Sequence, residues 1–202
     1  KSGFKTINVG KGSNGPLLEL AAIKEIAEPL QPKVVLWMYY INDLRDLTRE
    51  MKSPFLIQYL NEENFKQNLI SRQDEIDSVL INYLGEKWEK WDREKKINHW
   101  SIRILKLTNI RTRINLQPIP KVIFKDIMKK AKQIVQGWEG KIYFIYLPSY
   151  NEILTNEEDI NREFVLYTTA EMGIPIIDIY SEVFAANTDP MSFFPFRHEG
   201  HY

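Results

Sequence analysis

Three clusters in this sequence have residue types and spacing suited to chemistry. The first is Asn8-Val9-Gly10-Lys11-Gly12-Ser13-Asn14-Gly15-Pro16. It stands between an extended segment and a helical pattern. Its backbone N–H groups therefore sit at a helix N-terminus, where they can bind an anion or an oxyanion. It is not a Walker A loop, because no Gly-Lys-Ser/Thr stands at the required spacing. The glycines at 10, 12 and 15 imitate a dinucleotide fingerprint, but Pro16 follows the third at once. A tight turn is the plain alternative. The second cluster is Tyr40-Ile41-Asn42-Asp43-Leu44, directly after the run VVLWMYY. Ligands of open α/β sheets bind beyond the carboxyl ends of strands, and the Asn42 amide there can donate to an oxyanion. A helix cap or turn is the plain alternative. The third runs from Asp189 to Tyr202 and holds His198 and His201, two of the three histidines. A loop histidine after the last strand can serve as a general base. The His198/His201 pair lacks a third ligand, so no metal site is expected.

These clusters need a scaffold, and the hydrophobic pattern predicts one. Lys5–Val9, Val34–Tyr40, Ile142–Leu147 and Pro175–Tyr180 read as strands. They are rich in β-branched and aromatic residues and lack clean alternation, as in a parallel sheet buried on both faces. Helices are predicted between them. One spans Gly15–Leu30, with Pro16 in the first turn and an apolar stripe at Leu17, Leu20, Ala21, Ile23 and Ala27. Another follows Pro120, with Val122, Ile123, Ile127, Ala131 and Ile134 on one face, and ends near Gly137. A third spans Asn156–Gly173, acidic at its start and closed by a glycine. Strands alternating with helices imply βαβ units and a doubly wound sheet.

The stretch between Asp43 and Gln117 is too long for one crossover. Phe65, Leu69, Ile76, Leu80 and Leu84 suggest one long amphipathic helix, followed by Trp88 and Trp91 in the polar run EKWEKWDREKK. Residues 44–117 thus read as a helical insertion within a single domain spanning 1–202.

The 202 residues are 44% hydrophobic and 12% aromatic, enough for one substantial core. Lys plus Arg and Asp plus Glu each number 27, which gives no reason to propose a nucleic-acid partner. There is no cysteine, so disulfides and thiolate metal sites are excluded while the compartment stays open. No apolar run approaches the roughly 20 residues of a membrane helix.

In order and position, the three clusters resemble the SGNH (GDSL-like) hydrolase superfamily. NVGKGSNGP is similar to its second block, YYINDLRDL to its third, and FFPFRHEGHY to the entry into its last. GPLLELAAIKE followed by PKVVLWMYYINDLRDL is similar to bacterial members with a long helical insertion. The resemblance implies a three-layer, flavodoxin-like α/β fold and a serine esterase acting through an acyl-enzyme. Asn42 then matches the oxyanion asparagine, and the backbone N–H of Ser13, or of Gly12 in a shifted register, the second donor. His201 matches the base. No metal or organic cofactor is implied, and the substrate would be an ester-bearing small molecule or glycan.

The chain departs from the family at several points. Ile41 stands where a glycine is usual. The acid expected three residues before the histidine is absent, with Pro195 preceding His198 and His198 preceding His201, which leaves Asp189 or Glu199 to orient the base. No Gly-Asp-Ser block is present, so the chain holds no nucleophile. In the flavodoxin-like order 2-1-3-4-5 the predicted strands are numbers two to five. An inner strand is then missing, and unpaired backbone and apolar surface would be left behind. The reading therefore expects an incomplete domain, cut at both ends, whose inner strand comes from an earlier segment or from another chain.

Three alternatives stay open. An O-acyltransferase of the same fold would resolve the acyl-enzyme with an alcohol. A degenerate hydrolase would bind or assemble without catalysis; Trp88, Trp91 and Trp100 would then meet a partner or glycan instead of packing the insertion against the domain. A phosphate-binding receiver would use NVGKGSNGP as an anion cradle, with Asp43 and Asp178 at strand ends.

Overall fold

A computed structural model describes residues 3, 5–97, 120–155 and 158–197. The chain forms two compact units: Lys1–Lys66 with Ile119–Tyr202, and Gln67–Pro118. The first is a mixed α/β unit. Its elements in chain order are α1 (Pro16–Ala22), a π-helical turn (Ile23–Ala27), α2 (Glu28–Leu30), β1 (Val34–Tyr40), α3 (Asp43–Glu50) and α4 (Pro54–Asn61). The second unit holds α5 (Gln73–Ile97). The first unit resumes with α6 (Lys121–Gly137), β2 (Lys141–Leu147), α7 (Tyr150–Thr155), α8 (Arg162–Glu171) and β3 (Ile176–Asp178), and ends in short helical turns at Tyr180–Phe184, Pro190–Phe193 and Pro195–Arg197. Among the described residues no helix is long and apolar enough to cross a membrane.

The sheet is parallel, in the order β1-β2-β3. Val35, Trp37 and Tyr39 stand in register with Ile142, Phe144 and Tyr146, and strand alternation puts all six on one face. That face is the core. Tyr39 lies 5.5 Å from Phe144, 5.8 Å from Tyr146 and 6.1 Å from Phe124 of α6, ring centroid to centroid. Leu17 and Leu20 of α1, Leu44 and Leu47 of α3, Ile127, Met128, Ala131 and Val135 of α6, and Val165 of α8 close the cluster. α1 begins where Gly15 is still extended and Pro16 presets the first turn. It then widens to bury Lys24 and Glu25. The Lys24 ammonium donates to the carbonyls of Glu62 (2.9 Å) and Glu63 (3.0 Å) at the end of α4, and Tyr59 donates its hydroxyl proton to Glu25 (2.8 Å).

Among the described residues β1 pairs with β2 alone, which leaves its other edge open. The Lys141 N–H donates to the Lys33 carbonyl, so Lys33 faces β2. In a parallel ladder a residue's N–H and C=O point the same way and successive residues alternate. Val34, Leu36 and Met38 therefore aim their backbone groups away from β2. Their side chains are 48%, 56% and 45% exposed, on the face opposite the core. The N–H of Tyr40, next in this series, is taken by the Asp43 carboxylate at 2.9 Å.

Several expectations are corrected. Lys5–Val9 forms no strand among the described residues, and Ile7 and Val9 are exposed; a strand-like composition without a neighbour has no ladder to join. The third β run shortens to Ile176–Asp178, because the Asp178 carboxylate accepts the Tyr180 N–H and starts a turn. The helix predicted from Asn156 begins at Arg162, and 156–157 lie outside the described residues. Of the stretch read as insertion, α3 and α4 pack into the α/β unit, and the second unit starts at Gln67. Its helix starts at Gln73, not at Phe65. Phe65 instead packs on Tyr59 (4.8 Å) and Phe55 (5.4 Å).

The two faces of the sheet should respond unequally to substitution. Phe144→Ala is expected to cost about 3–5 kcal/mol. Leu36→Thr, on the open face, is expected to cost under about 0.5 kcal/mol. Urea denaturation of the two variants checks this, and equal losses would contradict the assignment of the core face.

Candidate functional site

The site grows from the contact between α1 and α3. Pro16 lacks an N–H, and the neighbouring donors at the head of α1 find one acceptor. The Gly15 N–H donates to Glu50 Oε1 at 2.6 Å, and the Leu17 N–H to Glu50 Oε2 at 2.9 Å. Glu50 comes from the last turn of α3, 35 positions away from Gly15. Gly15 has no room for a side chain: a Cβ there would lie 2.9 Å from Glu50 Oε2, 2.9 Å from the Leu47 nitrogen and 3.0 Å from Asp46 Cβ. The cradle of N–H groups predicted at NVGKGSNGP therefore exists, and the chain's own carboxylate fills it. An external phosphate would have to displace Glu50.

Ser13 sits in the left-handed region (φ 71°) at the tip of a turn closed by the Asn14 N–H donating to the Lys11 carbonyl at 3.1 Å. Ser13 and Gly12 are both exposed, and Gly12 has open space where a Cβ would stand. Asn42 follows β1 and directly precedes α3. Its side chain does not cap the helix; Nδ2 donates instead to Asp46 Oδ2 at 2.7 Å. Asp46 is also ion-paired with Arg49. Ser13, Asp46, Arg49, Glu50, Ser53 and Leu56 line one open depression of about 330 Å³. Asp46 thus lines the depression beside Ser13 and also holds the Asn42 side chain.

The electrostatics here are unusual. Four carboxylates, Glu19, Asp43, Asp46 and Glu50, gather around this contact, and Arg49 is the cation ion-paired with them among the described residues. Burial pushes the Asp43 carboxyl up to about 8; the Tyr40 N–H bond pulls it down, and the charges of Asp46 and Glu50 add to the rise. Burial likewise raises Glu19 well above the ordinary carboxylate range, with Asp43 and Glu50 adding to it. Burial raises Glu50 as well, against the pull of the N–H groups of Gly15, Leu17 and Leu18. Glu19 Oε2 and the Tyr39 hydroxyl are sealed from solvent without hydrogen-bond partners. Among the described residues no group of three His, Asp or Glu side chains is arranged to hold a metal ion.

A second network fixes the ends of β2 and β3. Buried Glu152 accepts from the Tyr146 hydroxyl (2.7 Å), the Ser149 N–H (2.7 Å) and the Asp159 N–H (3.1 Å). Arg162 pairs with Asp178 and lies over the rings of Tyr146 (5.4 Å) and Tyr180 (5.2 Å). Asp178 is thereby committed to Arg162 and to Ser181. Asp189, the candidate acid, is half-buried and holds Arg197 at 2.8 Å. His198, Glu199 and His201 lie outside the described residues, as do the side chain of Trp91 and all of Trp100. Trp88 is exposed on α5. Sequence reasoning missed Glu19, Asp46, Glu50 and Glu152. Glu50 carried a faint signal, as an acid in the last turn of a helix, where the macrodipole disfavours it.

Comparison of the chain with protein-family models, curated proteins and solved structures returns no match.

The close fit at Gly15 has a direct consequence. Gly15→Ala must push Glu50 or the α3 backbone aside and is expected to cost about 1–3 kcal/mol. Gly12→Ala meets nothing and should stay within about 0.5 kcal/mol. Thermal melts of both variants test this, and a neutral Gly15→Ala would contradict the packing.

Proposed function

We propose that the α/β unit is the oxyanion-binding part of an SGNH-type ester hydrolase with a three-layer, flavodoxin-like fold. The observation that carries this reading is that Ser13 and Asp46, the acceptor of the Asn42 amide, line one open depression. Asn42 itself stands directly after β1, and ligands of open α/β sheets bind beyond the carboxyl ends of strands. In this reading the second Nδ2 hydrogen of Asn42 and the backbone N–H of Ser13 or Gly12 receive the oxyanion. His201 is the base. A serine hydroxyl attacks the ester carbonyl and gives its proton to His201; collapse of the tetrahedral intermediate expels the alcohol, which takes that proton. Water then repeats the sequence on the acyl-enzyme. A sugar hydroxyl in place of water makes the same protein an O-acyltransferase. The substrate class is an ester-bearing small molecule or an acylated glycan.

These 202 residues hold no Gly-Asp-Ser block, and the edge of β1 away from β2 suits a strand that would bring one. Val34, Leu36 and Met38 offer both backbone groups and apolar side chains to such a strand. Pairing would stop near Tyr40, whose N–H Asp43 already holds, level with Asn42.

A second reading, a degenerate hydrolase used for binding, is favoured by the engagement of Asp189 with Arg197 and of the Asn42 amide with Asp46. A serine-reactive fluorophosphonate probe on the full natural polypeptide separates the two. The enzyme reading expects one labelled serine outside Lys1–Tyr202, and Asn42→Ala lowering kcat on p-nitrophenyl acetate by about 10²–10³-fold. A folded protein with no labelled serine would leave the binding reading and remove the enzyme.

A further inference from the structure

We propose that Glu19 and Asp43 are the proton-operated part of a latch in which Glu50 holds the Ser13 loop and the head of α1 against α3, closed while those two carboxyls keep protons and loosened when they give them up. This inference does not depend on the ester-hydrolase reading.

The geometry has the parts of a latch. Glu50 of α3 grips the N–H groups of Gly15 and Leu17. These bonds span two elements that meet without a side chain between them, since Gly15 already lies against Leu47 and Asp46. Charge sits on both sides of the seam. Glu19 faces it from α1; Asp43, Asp46 and Glu50 face it from α3, with Arg49 half outside in solvent and paired to Asp46. From β1 comes the Tyr39 hydroxyl, and the Glu152 and Asp159 carboxyls beyond β2 act on that hydroxyl as well. The charges that raise Glu19 are those of Asp43 and Glu50, and the charge that raises Glu50 is that of Asp46. Each proton lost therefore adds repulsion across the α1–α3 seam, in a place where solvent screens little.

The sign follows from linkage. The Asp43 carboxyl is raised from the ordinary range to about 8 in the folded chain. Between those limits the folded state keeps a proton that the unfolded state has released. The stabilisation is complete below the unfolded value and is lost as pH rises through about 8. Glu19, raised in the same direction, adds to it. The α1–α3 contact is therefore tightest in mildly acidic solution and weakest in alkaline solution. The element released first is the loop at the Ser13 depression, because Glu50 is its anchor.

Amide hydrogen exchange on the intact chain, followed by mass spectrometry and corrected for intrinsic base catalysis, reads the latch directly. Protection of residues 11–20 is expected to fall by about tenfold or more between about pH 6 and about pH 9. Residues 142–147 of β2, remote from the seam, should keep theirs. Glu19→Gln with Asp43→Asn removes two of the titrating groups, and the amide that replaces the Asp43 carboxyl retains an acceptor for the Tyr40 N–H. In that double variant the pH dependence of residues 11–20 should flatten. A flat profile in the unmodified chain overturns the proposal, whether or not the double variant folds. An equal loss at 142–147 overturns it too, because it would mean whole-unit unfolding. A double variant that keeps the full dependence overturns the assignment to these carboxylates.

Discussion

The α/β unit depends on one interaction: the carboxylate of Glu50 bridging the Gly15 and Leu17 N–H groups across the α1–α3 seam. The first N–H groups of a helix have no intrahelical acceptor. Here they are satisfied by a side chain from the end of another helix, and the two helix axes are tied together. Leu17 and Leu20 can then join Trp37 and Tyr39 in the core, and Ser13 comes to line the depression beside Asp46 and Glu50. The same bond decides what the loop is available for. An anion already occupies the head of α1, so the remaining donors near Ser13 and Asn42 define the site.

This arrangement concentrates acids. Glu50 is in place as a cap, Asp43 as the partner of the Tyr40 N–H and Asp46 as the partner of Asn42. Each has a local structural reason, and together they exceed the positive charge beside them. Burial then raises Glu19, Asp43 and Glu50. Stability and protonation at this seam are two descriptions of one balance, between helix-capping bonds and the repulsion of charges out of water.

The other organising constraint is the edge of β1. A parallel strand satisfies only half of its backbone groups through one neighbour, and among the described residues β1 has a single neighbour. Natural sheets cover, twist or charge such an edge. Here it carries Val34, Leu36 and Met38. The core face, by contrast, is closed by stacked aromatics and four helices. Among the described residues the unit is therefore finished on one face and open at one edge.

Much of this was legible in local pattern. The apolar runs at Val34–Tyr40 and 142–147 became β1 and β2, and the stripe after Pro120 became α6, because 2.0 and 3.6 periodicities are properties of neighbouring residues. Pro16 announced the start of α1, and Asn42 fell where a strand must end. Tertiary structure alone decided the rest. Phe65 reads as the start of an amphipathic helix, yet it joins Tyr59 and Phe55 because that aromatic contact lies across the chain. Lys24 and Glu25 look like solvent-facing charges, and they are buried because Glu62, Glu63 and Tyr59 bring partners to them. Lys5–Val9 has the composition of a strand but no ladder to enter. Glu50 reads as an ordinary helical acid until α3 folds back on α1. The sequence by itself determined which segments could be helices and strands, because those choices rest on near neighbours. Which polar groups are buried, paired and raised in pKa was decided only by packing, because a partner 35 positions away leaves no periodic trace.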